Sequence, residues 1–587
     1  MGTEKYQPIP DNVIYNVYAK CDEVGYANVT TNPFFNGREI RNEMKVPCSI
    51  TIISPDSVFQ SEGTVRLIGF GSRLYKKLSW SIQFTDKKFF GRKTVKMRGM
   101  AGDRSLMREK LATELYKSAG VPVQEGAYAR FFINDDIYGL YLITDTLNKK
   151  WLGAYVHGDE KAKIGMSYKL LSTVPDGPYC DLKYMGTRYS KYKNKGIYEV
   201  DEYEKEDVDP NDESTQWNRL IEFTKLFDNW VNTYKNDSSD KAVKELEKFL
   251  NLEPLLRLMA IDTLILPLDN FWLIMSNVEL YYNPVDNKYL ILPFDFDQSL
   301  YGSWDISSLN PDNYIEDCIT WANYNESIND HYFLNNIMKH PQIKKRYDII
   351  LDKISNQSFD PVTVNNYLLS IVELIKDDVQ WNIDSVKSLN IPYQGEVKNM
   401  KLSHFNRSYN IKYNDNSKNG ISDSYELQEF VNVRGEYCRA YTSTVDLKED
   451  ENEEKNKDNE GNKDNEENKD NEGNKDNEEN KDNEGNKDNE ENKENEQNKE
   501  NEENNTSGFK FNVVSILGKD YSMGVKYGNN IVVPLNISTY PLYTGTIEDE
   551  NLSQYKYVAL NSKNKVVKEE IITRTYNDEI INEVFNR

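Results

Sequence analysis

Histidine and cysteine are scarce in this chain. Its 587 residues include 4 His and 5 Cys, and neither group has the spacing of a ligand set. His157, His331, His340 and His404 are scattered, which argues against histidine-centred catalysis and a histidine-rich zinc site. Cys21, Cys48, Cys180, Cys318 and Cys438 are widely separated and odd in number, a pattern that fits neither a zinc motif nor a disulfide scaffold. Cys21 and Cys48 either form a single bridge, as in a secreted protein, or stay as buried thiols. Positive charge is also short: 72 Lys and Arg face 96 Asp and Glu, a formal net charge of -24. A nucleic-acid backbone requires a positive surface, so nucleic acid is excluded as the main partner. No apolar run is long enough to span a membrane. The opening MGTEKYQPIP has neither a basic start nor an apolar signal core, and it lacks the Ser or Thr that myristoylation requires after Met-Gly.

Aromatic and polar residues, by contrast, are plentiful. With 38% hydrophobic residues, 40 Tyr and 22 Phe, the chain can bury a large core, and its length suits about two to four domains. Residues 448–505 are near-perfect NKDNEG and NKDNEE hexads without an apolar residue. Burial cannot offset chain entropy there, so the segment reads as a disordered, mildly self-repelling acidic linker, bounded as 441–507. Its acids lack EF-hand spacing. Behind it, residues 508–587 carry short alternating segments, FKFNVVSIL, NIVVPLNI and YKYVAL, that predict a small β-sandwich-like module. Residues 1–63 are also β-rich, with VIYNVYA and CSITIIS as strands of a cap or of an opening sheet.

The main domain, 64–440, starts with the strand candidates VRLIGF, SWSIQF and KTVKMR. A helix is predicted over 105–119, because Met107, Leu111 and Leu115 recur at helical spacing, Ser105 suits the N-cap and Gly120 the stop. Strands ARFFIN and YGLYLIT follow across a turn at Asn134-Asp135-Asp136. Helices are predicted over 214–234 and 241–264, the latter broken at Pro254, and a mostly helical segment over 331–384. The fold class is α+β, with two lobes.

Residues 262–302, DTLILPLDNFWLIMSNVELYYNPVDNKYLILPFDFDQSLYG, place isolated carboxylates and an Asn inside apolar, strand-like text. Runs 278–282 and 289–293 flank a turn-rich 284–288 and predict a β-hairpin. Asp269 and Asn277 precede its first arm, and its second arm empties into Asp295-Phe296-Asp297, so the acids share one pocket at the hairpin mouth. A charge buried there is costly unless it is paired or bound to a cation. Asp269-Asn270 also reads as an Asx turn.

Five blocks, GFGSRLYKKLSWSIQF, KMRGMAGDRSLMREKLATELYKSAGVP, ARFFINDDIYGLYLITD, LILPLDNFWLIMSN and PFDFDQSLYG, stand in the order and spacing of the spore-coat protein H (CotH) kinase family. From about residue 64 to 430 the chain resembles a fungal-type member of that family. The resemblance implies an atypical, secretory-type protein kinase with a two-lobed, kinase-like domain. It implies ATP with Mg2+ or Mn2+ as cofactors, transfer to Ser or Thr of coat, cell-wall or host surface proteins, and a secreted or cell-surface location. Phosphoryl transfer needs an acid to orient the hydroxyl, oxygen ligands for the metal and cations on the phosphates. Asp269 is the candidate base and Asn277 and Asp295 the candidate metal ligands; Asp297 is a further ligand or caps the turn before Gly302. Lys77 and Lys169 are the leading phosphate contacts, with Arg73, Arg98 and Arg108 in support. Asp145 stands where the family has an acid after its GLYL block, and touches nucleotide or pairs with a cation. No GxGxxG loop, HRD triplet or DFG occurs, which excludes an ordinary protein kinase.

The chain also departs from the family. It carries a short insertion between Asp269 and Asn277, and its tail resembles the β-rich segment that fungal members have ahead of the kinase block. Residues 172–186 are similar to a surface loop with which some fungal relatives bind host receptors. Rival readings are an adhesin or coat protein that keeps the fold without catalysis, a nucleotide-sugar transferase using Asp295-Phe296-Asp297 as an Asp-x-Asp metal site, and a glycosidase using two of the acids. No parallel αβ pattern accompanies the Asp-x-Asp triplet. Asn28, Asn325, Asn406 and Asn536 head Asn-x-Ser/Thr sites that would carry glycans in a secretory route.

Overall fold

The computed structural model describes residues 3–173, 177–203, 208–300, 315, 317–318, 331–391, 400–410, 426–445, 508–549, 552–577 and 579–585. Met1–Val445 and Phe509–Arg587 form one compact unit. The expected disordered linker lies outside the described residues.

Seven strands close into a barrel in the order Tyr15–Cys21, Val46–Ile53, Val58–Leu67, Trp80–Phe84, Thr94–Arg98, Asp136–Asp145 and Gly126–Ile133. Neighbours are antiparallel except at the closure, where Tyr15–Ala19 runs parallel to Ala129–Ile133. Closure removes the edges that an open sheet of this size would leave. Val58–Leu67 shows why such text forms a barrel wall: Ser61, Gly63, Val65 and Leu67 are buried while Gln60 and Glu62 are exposed, the period of two of a pleated strand. The boundary expected at residue 63 falls inside this strand. Residues 1–63 supply the opening strands of the barrel, Tyr15–Cys21 and Val46–Ile53 with the start of Val58–Leu67, as in the opening-sheet alternative.

The predicted helix begins at Arg108 and runs to Ser118, later than expected. The Asp103 carboxylate accepts the N–H groups of Ser105 and Arg108, each at 2.8 Å, and Leu106 has φ +61°, so 103–107 is a turn that caps the helix. Gly120, with φ +78°, ends it as expected.

Beyond the barrel, a four-stranded sheet has the order Tyr198–Val200, Ser167–Leu170, Val278–Asn283, Lys288–Pro293. The predicted hairpin is its last pair. All its pairings are antiparallel, so the Asp-x-Asp triplet does not end a doubly wound parallel sheet. The predicted 214–234 helix is a short 3-10 turn, Glu213–Trp217, running into Asn218–Tyr234. The 241–264 segment divides into Asp240–Glu247 and Leu252–Ile265, with Pro254 in the first turn of the second helix, where its missing N–H is harmless. The 331–384 segment is three helices, Tyr332–Met338, Pro341–Asn356 and Pro361–Ser388, the last two opening with proline. Their apolar faces join the helix Arg108–Ser118 and the hairpin in one hydrophobic core, distinct from that of the barrel.

Cys21 and Cys48, opposite each other on paired strands, form a disulfide. A second bridge, Cys318–Cys438, joins positions 120 residues apart and was not anticipated. Cys180 is free and buried. The tail forms a four-stranded and a five-stranded sheet over a shared core that includes Phe511, Val525 and Tyr557. It packs on the barrel: Ile516 joins a cluster with Tyr18, Phe132 and Trp381, and Asn582 Nδ2 donates to Ser54 O at 3.0 Å.

Candidate active site

The loops at the two ends of the hairpin are laced together. Asn270 Nδ2 donates to Phe294 O and Asn277 Nδ2 to Asp269 O, each at 3.1 Å, and Phe294 N donates to Asn277 O at 2.9 Å. Met275, Asn277 and Asp295 all have positive φ, a conformation that side chains other than glycine adopt only when the surroundings hold them there. Beneath the loop, Asp262 accepts the Tyr116 hydroxyl at 2.6 Å and the Trp272 N–H at 3.2 Å, and burial pushes its carboxyl up to about 7.

This lacing gathers the acids. Burial holds the Asp269 carboxyl well above its ordinary range, and Asp297 and Asp295 raise it further. Asp297 is pushed up to about 7 by burial and by Asp295. Asp295 is gripped by both terminal nitrogens of Arg98. Arg98 Nη2 also lies 3.6 Å from Glu109 Oε2, and the same Glu109 oxygen accepts the Phe296 N–H at 2.8 Å. The Phe296 ring is buried 4.4 Å from that of Tyr116. Glu109 and Tyr116 both belong to Arg108–Ser118, so that helix and the Asp295–Asp297 turn hold each other in place.

Sequence reasoning missed Glu109 and Lys96. The signal for Lys96 lies in KTVKMR: Val95 and Met97 are buried in the barrel core, so Lys96 and Arg98 emerge together on the other face. Burial, then Arg98 and Lys169, hold the Lys96 ammonium below its ordinary pKa, while Asp295 and Glu279 oppose them. Lys169 pairs with Asp201 and lies across the sheet from the fully buried Glu279. A line of charged groups thus runs from Asp201 through Lys169, Glu279 and the cation pair Lys96 and Arg98 to Asp295.

The other expected nucleotide contacts are engaged elsewhere. Lys77 Nζ donates to Leu140 O and to Asn382 Oδ1, an approach permitted by Gly139, where a Cβ would stand 2.6 Å from Asn382 Oδ1. Burial lowers the Lys77 ammonium to about 7. Arg108 Nη1 pairs with Asp103 at 2.7 Å. Asp145 is fully buried in the barrel, bound to Arg92 and to the Tyr6 hydroxyl. Arg73 serves backbone carbonyls and Glu43.

Among the described residues no three His, Cys, Asp or Glu side chains form a ready-made metal cluster. The donor chemistry nevertheless fits a hard divalent cation. Asp269 Oδ1, Asn270 Oδ1, Gln298 Oε1 and Ser299 Oγ are buried oxygens without a hydrogen-bond partner among the described residues, and four acids (Glu109, Asp269, Asp295 and Asp297) crowd around Arg98. Magnesium or manganese takes one or two carboxylates and completes its shell with water and phosphate oxygens.

The profile of the CotH kinase protein family matches residues 65–438. The chain belongs to that family. Among curated proteins it is similar to "Spore coat protein homolog 1" of Rhizopus delemar, 24% identical over 363 residues, with 60% of this chain and 54% of the relative covered. Invasin CotH3 of the same organism is 22% identical over 378 residues, covering 63% of this chain and 57% of the relative. Invasin CotH2 is 24% identical over 306 residues, covering 52% and 47%. The chain thus spans about half the length of these relatives. Among solved structures, the Helicobacter pylori proinflammatory kinase CtkA aligns at 11% identity and a TM-score of 0.25, covering 75% of this chain and 100% of CtkA; a likeness that faint carries no argument here.

Proposed function

We propose that this CotH-family chain is an ATP-dependent protein kinase of the atypical, secretory type, acting on Ser or Thr hydroxyls. The observation that carries the reading is the gathering of Asp269, Asp295 and Asp297 at the hairpin mouth against Lys96 and Arg98 of a barrel strand. Nucleotide lies between barrel and sheet, the two lobes of the domain, with Lys96 and Lys169 facing its phosphates. Asp295 and Asn277 hold Mg2+ or Mn2+, with Asp297 as a further acid; Asn277 commits its Nδ2 to the Asp269 carbonyl, which leaves Oδ1 for the cation. The metal, when bound, neutralises charge on the transferring phosphoryl group. The substrate hydroxyl oxygen forms the new bond to the γ-phosphorus as the bond to ADP breaks, and its proton passes to Asp269.

Burial, then Asp297 and Asp295, raise the proton affinity of Asp269, the direction that suits a group taking up the hydroxyl proton. Arg98 and Glu109 act as positioning residues. Two disulfides favour an oxidising compartment and hence secretion or the cell surface. A second reading, a surface adhesin, is favoured by the invasin names of the relatives and by the engagement of Asp295 with Arg98. Labelled ATP with Mn2+ or Mg2+ separates the two: a kinase transfers label to itself or to an acidic protein, and an adhesin neither transfers it nor binds ATP.

A further inference from the structure

Helix Leu427–Thr442 contributes none of the acids, but it reaches the chain on both sides of them. Arg434, midway along it, is fully buried. Its guanidinium donates to four backbone carbonyls. Nε and Nη2 bind Thr263 O at 2.9 and 2.7 Å, Nη1 binds Ile315 O and Asp317 O at 3.2 and 3.3 Å, and Nη2 also binds Cys318 O at 3.1 Å. One turn further on, Cys438 is bridged to Cys318. Residues four apart share a helix face, so one face of this helix holds Cys318 both by its carbonyl and by its side chain.

The sequence explains why Thr263 needs an outside donor. It stands in the last turn of helix Leu252–Ile265, where the residue four positions on is Pro267, which has no N–H to give. A buried carbonyl left without a donor is costly, and the two Arg434 bonds offset that cost. Leu266, with φ +44°, then turns the chain toward Asp269. The neighbouring Ile265 carbonyl is taken by Leu300 N at 2.6 Å, from just beyond the Asp295–Asp297 turn.

The same helix end is tied to the loop itself. The Thr263 and Tyr347 hydroxyls are 2.6 Å apart, and the Tyr347 ring stacks on that of Trp272, with centroids 5.6 Å apart. Trp272 follows Asp269 and donates its N–H to Asp262, the residue before Thr263. Arg434 thus holds the base of the loop that carries Asp269 and Asn277.

We propose that Arg434 is a positioning residue for phosphoryl transfer. Together with the Cys318–Cys438 bridge, it anchors the entry to the Asp269 loop and the chain beyond the Asp295–Asp297 turn to one helix, which sets the separation between the base and the metal-holding acid. The role in transfer rests on the kinase reading; the anchoring of the loop does not. Arg434 acts through backbone carbonyls, so its loss is felt as misalignment of Asp269, and a displacement of about 1 Å costs about 10²-fold in rate. Nucleotide affinity, which depends on Lys96, Lys169 and the metal, is left nearly unchanged.

The test pairs hydrogen exchange with transfer from labelled ATP on the full chain, for wild type, Arg434→Lys and Cys318→Ser/Cys438→Ser. A lysine keeps the charge but replaces the planar fork with a single nitrogen. In both variants the amides of 268–277 should exchange faster, with a rise at least about tenfold larger than in the barrel strand Trp80–Phe84. In Arg434→Lys, kcat should fall about 10²-fold, while the KM for ATP moves less than about threefold. Loop exchange that rises no more than that of Trp80–Phe84 overturns the proposal, because Arg434 then serves general stability alone. So does a loosened loop with kcat unchanged, or a loss confined to KM. If Arg434→Lys fails to fold, the cysteine pair is read in its place. Wild type that transfers nothing ends the kinase reading and the role in transfer with it, and the exchange arm still decides whether Arg434 anchors the loop.

Discussion

Glu109 accepts the backbone N–H of Phe296 at 2.8 Å, a contact between residues 187 positions apart that joins the helix beside the barrel to the turn carrying Asp295 and Asp297. The same carboxylate faces Arg98, so the helix, the barrel strand and the acid turn meet in one ion-pair network.

Glu109→Ala is therefore expected to destabilise the fold and not merely slow it. Removing one partner of a buried pair leaves the other uncompensated, at a cost of about 3 kcal/mol. Urea unfolding measures this directly. A loss below about 0.5 kcal/mol, the size of an ordinary surface substitution, would show that the contact holds nothing in place.

Lys77 and Lys96 should separate in their effects. With its ammonium bound to Leu140 O and Asn382 Oδ1, Lys77 acts on stability, whereas Lys96 faces the charge line toward Asp295. Lys96→Met is expected to raise the KM for ATP at least about tenfold, a loss of about 1.4 kcal/mol of binding. Lys77→Met should change it less than about threefold, or about 0.65 kcal/mol. The reverse order would restore Lys77 as the phosphate contact.

The pH dependence of Lys77 has a definite sign. Burial holds its folded pKa near 7, against about 10.4 in the unfolded chain. Between those values the unfolded chain binds more protons, so the Lys77 contribution to stability grows as pH rises and is lost as pH falls toward 7. Unfolding free energies of wild type and Lys77→Met, compared at pH 7.5 and 9.5, should diverge by up to about 1.4 kcal/mol per pH unit. An identical difference at both values contradicts the assignment.

The Cys318–Cys438 bridge encloses 120 positions, a long loop whose closure restricts the unfolded chain. Cys318→Ser/Cys438→Ser is expected to cost about 2–5 kcal/mol, seen as a lower unfolding midpoint with the Cys21–Cys48 bridge intact. An unchanged midpoint would mean that the bridge contributes nothing in solution.

Much of this was legible where local pattern and tertiary role coincide. The hairpin followed from aromatic and aliphatic runs around 284–288, and strands Val278–Asn283 and Lys288–Pro293 stand within a residue of that reading. The convergence of Asp269, Asp295 and Asp297 followed from the same hairpin, since its two ends must meet. Contacts across long separations were not legible. Nothing local marks Glu109, which lies in ordinary amphipathic helix text, as the partner of Phe296. Nothing local says that Tyr15–Ala19 will close a barrel against Ala129–Ile133. The surroundings of Lys77 were not legible either: its ammonium donates to Leu140 O on a neighbouring strand and to Asn382 Oδ1, more than 300 residues further on.

The most direct test of the central claim is transfer of labelled phosphate from ATP, with Mn2+ or Mg2+, by the full chain beside Asp269→Asn and Asp295→Ala. Wild type should label itself or an acidic protein substrate. Asp269→Asn should lower the rate by about 10²–10⁴-fold, the usual worth of a positioned base, with ATP binding retained. Asp295→Ala should lose both transfer and metal-dependent ATP binding. Wild type that neither transfers label nor binds ATP in a metal-dependent way, or variants that transfer it as well as wild type, would contradict the account.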